Sequence, residues 1–439
     1  MYKLSKYCRV FDDIERDNVI YNSVNKGIVS MPKDRFIEGR TLSGLVTEAE
    51  IDYLKQNNFL EGELDLEYIR NRYERFDTLI ISLELFLHCN LSCPYCYQIG
   101  NTTRQTITHE SLDCLFEYIK NVYIKEGYKT LIFKVLGGEP TVNWKPAEYI
   151  INKLFDFCEE NGVYFKLMID TNGTIIKDIL CLDHYHSLTL TIPLTEKECH
   201  NRYRKYLTGQ GTYDDIISNV NIISKAMRNV NIVLRYNIDG DNIMGFEKYV
   251  KDLKAKLNFT PIVSPNYTMS MGGGDFQNSL SHQELVDWRS SFFIDTLVTC
   301  DFPIVVTPYS ISGKCQYWSR YSLKMFSDGT VGACAMSFWD KGRPKISDVC
   351  KDIRLVEGLS NGAKFFSPFE DVRCKLCDSL FLCGGTYNLP CSKTLGERKC
   401  EHPDSLHINL KMFLSRYIKY SNEGKGNLFV GFNDDNIYR

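Results

Sequence analysis

Between Thr78 and His88 every odd position is apolar, namely Leu79, Ile81, Leu83, Leu85 and Leu87. That period of two marks a strand with one buried face. Further apolar runs predict strands over Leu131–Leu136, Val163–Ile169, Ser187–Ile192, Val230–Asn237 and Phe259–Val263. Helical spacing lies between most of them. Ala147, Ile150, Ile151, Leu154, Phe155 and Cys158 recur at three and four residues, with Pro146 suited to a first turn and Gly162 to a C-terminal cap. Tyr213, Ile216, Ile217, Val220 and Met227 form a second stripe. Six βα repeats with right-handed crossovers predict an α/β chain curled into a partial (β/α)6 barrel of the TIM type, with ligands at the carboxyl ends of its strands.

Outside this rhythm the pattern changes. Residues 1–77 read as a small α+β unit, with a hairpin around Asn25–Gly27 and helical stretches within Thr47–Phe59 and Leu64–Phe76. Near Cys300 the βα alternation stops, so the expected segments are 1–77, 78–299 and 300–439. The last is turn-rich and dense in cysteine, with one amphipathic helix near Leu406–Tyr417.

Composition narrows the function. The chain has 439 residues, 44% of them hydrophobic, and a net charge of -3, which gives no electrostatic footprint for nucleic acid or an anionic membrane. No apolar run is long enough for a membrane span, and the first residues lack the apolar core of a signal peptide, so a cytoplasmic location is expected. Thiols stay reduced there. Seventeen cysteines therefore point to metal ligation rather than structural disulfides.

The spacing supports that. Cys89-Asn-Leu-Ser-Cys93-Pro-Tyr95-Cys96 places three thiols within eight residues at the end of the first strand. A structural zinc site wants four ligands, and Fe–S clusters usually take four cysteines, so three thiolates leave one metal position open to a ligand. A zinc knuckle borrowing His88, or three core thiols, are the bland alternatives. The CxxxCxxC spacing with an aromatic before the last cysteine resembles the radical S-adenosylmethionine superfamily. That resemblance implies a [4Fe-4S] cluster on Cys89, Cys93 and Cys96, whose open iron is chelated by the cofactor's methionine end, and reductive cleavage to a 5′-deoxyadenosyl radical.

The other strand ends carry matching features. Gly137-Gly138-Glu139-Pro140 resembles the family's GGEP motif. Glycines permit close backbone approach, a carboxylate can pair with an ammonium, and proline fixes the exit from the strand; a simple turn is the alternative. Asp170-Thr171-Asn172-Gly173 resembles the family's TNG turn, and equally a helix-capping turn. His200-Asn-Arg-Tyr-Arg204 resembles an HDxxR stretch whose arginine meets the cofactor carboxylate, while a surface ion pair is the alternative for Arg204. Thr191 stands where the family's SxDG would contact the ribose, although the aspartate and glycine are missing. Asn237 matches an asparagine of the fifth strand, or is a strand-ending turn residue.

A second array follows: Cys315, Cys334, Cys374-x-x-Cys377, Cys383, Cys391 and Cys400. It resembles the SPASM extension, which implies two auxiliary [4Fe-4S] clusters, three in all. Cys374, Cys377, Cys383 and Cys400 would hold one. Cys315, Cys334 and Cys391 would hold the other, with Cys300, Cys350 or an open iron completing it. The seven residues between Cys383 and Cys391 exceed the family's usual three, and a zinc ribbon on Cys374-x-x-Cys377 is the structural alternative.

The SPASM resemblance implies a peptide or protein substrate. Ala335 stands where sulfatase-maturating members carry an aspartate, and the 77 residues ahead of the barrel are similar to leader-peptide recognition units that capture a peptide by strand addition, with an extra docking or stability domain as the equal alternative. The expectation is a ribosomal-peptide maturase acting on a precursor peptide with a leader, supplied with electrons by a reductant such as flavodoxin or ferredoxin. Thioether formation on a substrate cysteine leads. Carbon–carbon crosslinking, epimerisation and sulfatase maturation are alternatives, and a zinc-binding adaptor without enzymatic activity is the reading from another class.

Overall fold

The computed structural model describes residues 2–62, 67, 70, 77–96, 98, 106–267, 280–305, 316, 319–360, 367–383, 408–430 and 437–438. The chain forms two compact units that interleave along the sequence. Met1–Arg75, Ser281–Gly313 and Ser367–Arg439 make one, while Phe76–Leu280 and Lys314–Phe366 make the other. Segments adjacent in sequence near Cys300 thus belong to different units.

In the first unit β1 (Cys8–Ile14), β2 (Asp17–Asn22) and β3 (Ile28–Met31) form an antiparallel sheet, and the turn between β2 and β3 holds Asn25–Gly27 as expected. The short strand Ile437–Tyr438 adds in parallel beside β3. β4 (Phe36–Glu38) and β5 (Thr41–Leu42) make a separate small ladder. Helix α1 (Glu48–Gln56) starts at a capping box in which the Thr47 backbone N–H donates to Glu50 at 2.6 Å, satisfying a donor the first turn would leave bare. Its Ile51 and Leu54 pack with Leu4, Ile20, Val29 and Phe59. The expected helix over Leu64–Phe76 lies outside the described residues apart from 67 and 70. The last helix runs Leu410–Asn422 rather than from Leu406, because Asn409 caps it by accepting from the Met412 N–H at 3.1 Å.

The second unit is the barrel. Its six central strands are β6 (Thr78–Glu84), β7 (Thr130–Leu136), β8 (Tyr164–Asp170), β9 (Leu188–Pro193), β10 (Val230–Ile238) and β11 (Ile262–Tyr267). They lie side by side in sequence order, all parallel. Helices α2 (His109–Glu126), α3 (Lys145–Glu160), α4 (Lys197–Tyr203), α5 (Tyr213–Ala226) and α6 (Phe246–Lys256) occupy connections between strands. On β7 the buried positions Leu131, Phe133 and Val135 alternate with Ile132, Lys134 and Leu136. The second set faces the lumen, since Leu136 lines the cavity there.

Two features differ from the sequence reading. The sixth strand begins three residues later than expected and contains Pro265, which is tolerated because β11 is the edge of the sheet. The tail also returns to the sheet. β12 (Leu323–Met325) pairs in parallel with β6, and β13 (Val331–Gly332) pairs with β12 in an antiparallel turn-back. A strand of three residues leaves too little pattern to read. Among the described residues no helix is long and apolar enough to cross a membrane.

Candidate functional site

The ends of β6 and β7 stay zipped beyond the strands themselves. Leu85 donates to Leu136 O at 3.0 Å, Gly138 to Phe86 O at 2.7 Å and Glu139 to His88 O at 2.9 Å, so the pairing runs up to Cys89. Gly138 is required by this approach: a Cβ there would meet His88 O at 2.0 Å, a backbone atom with no room to yield. The closeness that glycine permits is thus, first, closeness to the cysteine-bearing strand end.

The cysteine loop is tied down on two further sides. Ser92 donates to Lys205 O at 2.9 Å and Leu207 to Asn90 O at 3.2 Å, an antiparallel clasp that brings the segment after Arg204 against the loop. Asn90 also bridges to the turn after β8, accepting from Asn172 Nδ2 at 2.7 Å and donating to Thr174 Oγ1 at 2.9 Å. That turn needs Gly173, whose φ of 78° is in the left-handed region. Asn90 gave no signal in the sequence, because its partners lie more than 80 residues away.

These strand ends enclose a cavity of about 520 Å³. Cys89, Cys93, Tyr95, Cys96, Gly137, Gly138, Asn172, Arg204 and Asn237 all line it, together with Leu136, Asp170, Arg235 and Asn266 among others. Arg204 is buried and donates to the Tyr95 hydroxyl at 3.2 Å, while Tyr95 packs edge-on against Tyr203. Burial raises the Tyr95 phenol above its usual range, so it stays neutral beside the guanidinium.

Glu139, Pro140 and Thr191 are placed differently. Glu139 is fully buried and does not line the cavity. Its carboxylate accepts from Thr141 N at 3.1 Å, Thr141 Oγ1 at 2.7 Å, Thr171 Oγ1 at 2.7 Å and Asn172 N at 2.5 Å. Burial raises its carboxyl above the ordinary value, against the pull of these donors. It works here as a lock between the β7 and β8 ends. Pro140 opens the short turn after it, and Thr191 is buried within β9.

The donor set suits a thiophilic cluster with a polar cofactor beside it. Three thiols from one loop share the cavity wall with polar groups. Two of these groups, Arg204 Nε and Asn237 Oδ1, are buried without a hydrogen-bond partner, which is costly unless a ligand meets them. The thiols do not converge on one point: among the described residues no three His, Cys, Asp or Glu side chains are grouped to hold a metal ion. Burial pushes the Cys89 thiol up to about 11, with the Leu91 N–H opposing, and raises Cys96 as well. A bound metal reverses that preference by taking the thiolate.

Comparison with known proteins agrees with this geometry. Residues 83–253 match the Radical SAM superfamily. The chain carries a radical SAM domain. The match begins on β6, just ahead of the cysteine loop, and ends within α6. The chain is 26% identical over 318 residues to a cysteine-type anaerobic sulfatase-maturating enzyme of Clostridium novyi, covering 67% of this chain and 84% of that protein. It is 25% identical over 189 residues to the radical SAM cyclopropyl synthase TigE of Paramaledivibacter caminithermalis, covering 37% and 39%. Among solved structures it resembles anSMEcpe with bound AdoMet and Kp18Cys peptide, with a TM-score of 0.57 at 18% identity, over 80% of this chain and 99% of that one. That likeness is one of fold.

Of the second cysteine array, Cys315, Cys391 and Cys400 lie outside the described residues. Cys334 follows β13 in the barrel unit. Cys374, Cys377 and Cys383 belong to the other unit, where Cys374 packs against the cluster of Tyr7, Phe369 and Phe381, and Cys377 Sγ accepts from Ser379 N at 3.4 Å. Of the two spare thiols, Cys300 is buried at the end of the helix Phe292–Thr299, and Cys350 lies on the helix Ile346–Lys351.

Proposed function

We propose that this radical SAM enzyme modifies a peptide, abstracting hydrogen from a ribosomally made precursor and most favourably joining a substrate cysteine to the resulting carbon as a thioether, with the thiol proton lost to solvent and the remaining electron passed to an auxiliary Fe–S cluster. The observation that carries the reading is the single cavity shared by Cys89, Cys93, Cys96, Arg204 and Asn237. In this reading the three cysteines hold a [4Fe-4S] cluster, and S-adenosylmethionine bound to it supplies a 5′-deoxyadenosyl radical upon one-electron reduction. Arg204 offers its free Nε–H to the cofactor carboxylate, Asn237 its Oδ1 to a donor of the cofactor, and Asn172 braces the loop through Asn90. Glu139 serves the cofactor through the strand ends it locks together, rather than by direct contact. The apolar patches at Leu91, Leu136 and Pro193 help to exclude water from a reactive radical.

A peptide or protein substrate is supported by the similarity to the sulfatase-maturating enzyme, which is named for the protein it acts on. Sulfatase maturation is the second reading, favoured by that same match. Against it stands Ala335, where the family's sulfatase maturases carry an aspartate. Two auxiliary clusters on the second cysteine array, a flavodoxin or ferredoxin as reductant, and leader capture by the N-terminal unit complete the proposal.

The test is anaerobic reconstitution with iron, sulfide and zinc analysis, followed by a dithionite-driven assay for 5′-deoxyadenosine in wild type and in Cys89→Ala/Cys93→Ala/Cys96→Ala. The expected result is about three clusters' worth of iron and sulfide in wild type, with about one cluster and all cofactor cleavage missing from the variant. Zinc without sulfide, and no 5′-deoxyadenosine, would leave the zinc-binding adaptor in its place.

A further inference from the structure

One inward-facing step below the barrel mouth, the lumen is charged. Lys134 precedes Leu136 on β7 and Arg235 precedes Asn237 on β10 by two residues each, which sets both about 6–7 Å deeper than those mouth residues. Asp170, at the end of β8, ties them together. Its Oδ2 is 2.8 Å from Lys134 Nζ, and its Oδ1 is 3.5 Å from Arg235 Nη2. The second contact is an ion pair without hydrogen-bond geometry. Among the described residues Asp170 Oδ1 meets no donor in hydrogen-bond geometry, and the nearest guanidinium nitrogen stays 3.5 Å away, so most of the five N–H donors of Arg235 are not spent on Asp170.

One acid between two bases leaves a net single positive charge, and Asp170 and Arg235 both line the cavity. A planar guanidinium with unused donors in a low-dielectric wall favours a carboxylate, which it can bind through two parallel hydrogen bonds. The cofactor's own carboxylate has a nearer cation in Arg204, because the segment after Arg204 is clasped to the cysteine loop. Asn266, paired with Asn237 across β10 and β11, extends the polar wall next to Arg235.

We propose that Arg235, oriented by Asp170 and Lys134, is the specificity-determining cation of the substrate pocket and receives a peptide carboxylate, from an acidic side chain or from the C-terminus. This rests on the reading of the protein as a peptide-modifying radical SAM enzyme. Arg235 selects the substrate region that reaches the radical, and Asp170 and Lys134 are positioning residues for it.

The test is anaerobic equilibrium dialysis of reconstituted holoenzyme with S-adenosylmethionine against three acetylated glycine–serine octapeptides. One carries a central glutamate and an amidated end, one a central glutamine and an amidated end, and one a central glutamine and a free carboxylate end. The expected result is about tenfold tighter binding of one carboxylate peptide than of the neutral one; which of the two binds identifies the source of the carboxylate. Arg235→Gln should erase that preference and Arg235→Lys should keep part of it. Equal retention of all three peptides by wild type, including no retention, overturns the proposal. So does weaker S-adenosylmethionine binding by Arg235→Gln in the absence of peptide, which would place the guanidinium on the cofactor. Failure of the wild-type enzyme to release 5′-deoxyadenosine would instead sink the functional reading, since the dialysis preference is read without turnover.

Discussion

The Lys324 ammonium lies 3.0 Å from the Glu84 carboxylate, and both side chains are closed to solvent, at 0% and 1% exposure. This pair fastens β12 to the end of β6, the strand that delivers the cysteine loop. Gln98, on the cavity wall, donates to the same Glu84 carboxylate at 3.2 Å. Burial lowers the Lys324 ammonium below its usual range, and the Glu84 charge opposes that loss.

Removing one partner leaves the other charge buried. Glu84→Gln or Lys324→Met alone is expected to cost about 3–5 kcal/mol of stability. The double variant should recover much of that loss. Thermal melting followed by circular dichroism would check it, and equal melting of single and double variants would contradict it.

Glu139→Gln should weaken the lock between the β7 and β8 ends. An amide nitrogen cannot accept from all four donors that meet the carboxylate. The expected loss is about 1–3 kcal/mol, with weaker S-adenosylmethionine binding by isothermal titration. If Glu139 acted only by touching the cofactor, binding would fall while the melting temperature stayed put.

Gly138→Ala should be far more damaging than an ordinary loop substitution. The new methyl group would sit 2.0 Å from His88 O and 2.5 Å from Leu87 O, so the two zipped strand ends must part. A loss of more than about 3 kcal/mol is expected, seen as poor soluble yield and a lowered melting temperature.

Asp170 carries a pH dependence. Burial acts to raise its carboxyl, but the charges of Lys134 and Arg235 prevail and hold it below the ordinary value. A carboxyl depressed in the folded state contributes stability that is present above its unfolded value of about 3.9 and lost as pH falls through the lower folded value. Asp170→Asn should therefore be destabilised most near neutral pH. The gap to wild type, read from urea midpoints, should narrow as pH falls from about 5 to about 3; a constant gap would mean that the ion cluster contributes nothing.

Much of the barrel was legible in the sequence because its signals are local. Alternating apolar residues before Cys89 and helical stripes from Ala147 and Tyr213 report burial within a few residues, and the observed strands and helices follow them to within about four residues at either end. Three cysteines within eight residues, at the end of a strand, likewise needed no fold to be noticed. Partnership across the barrel was not legible. Lys324 reads as a surface residue in a turn-rich tail until β12 is seen to lie beside β6, and Asp170 reads as part of a turn until Lys134 arrives from the adjacent β7 and Arg235 from β10, two strands away. Glu139 has the residue type for pairing with an ammonium, yet its four donors come from its own turn and the β8 end, which only the packed sheet brings together. The sequence by itself determined that the cysteine loop, the Gly137–Gly138 pair and the Thr171–Gly173 turn follow successive strands. Only the tertiary structure decided which of them face the cavity and which hold its walls, because hydrogen bonds and ion pairs between distant segments leave no periodic trace in the chain.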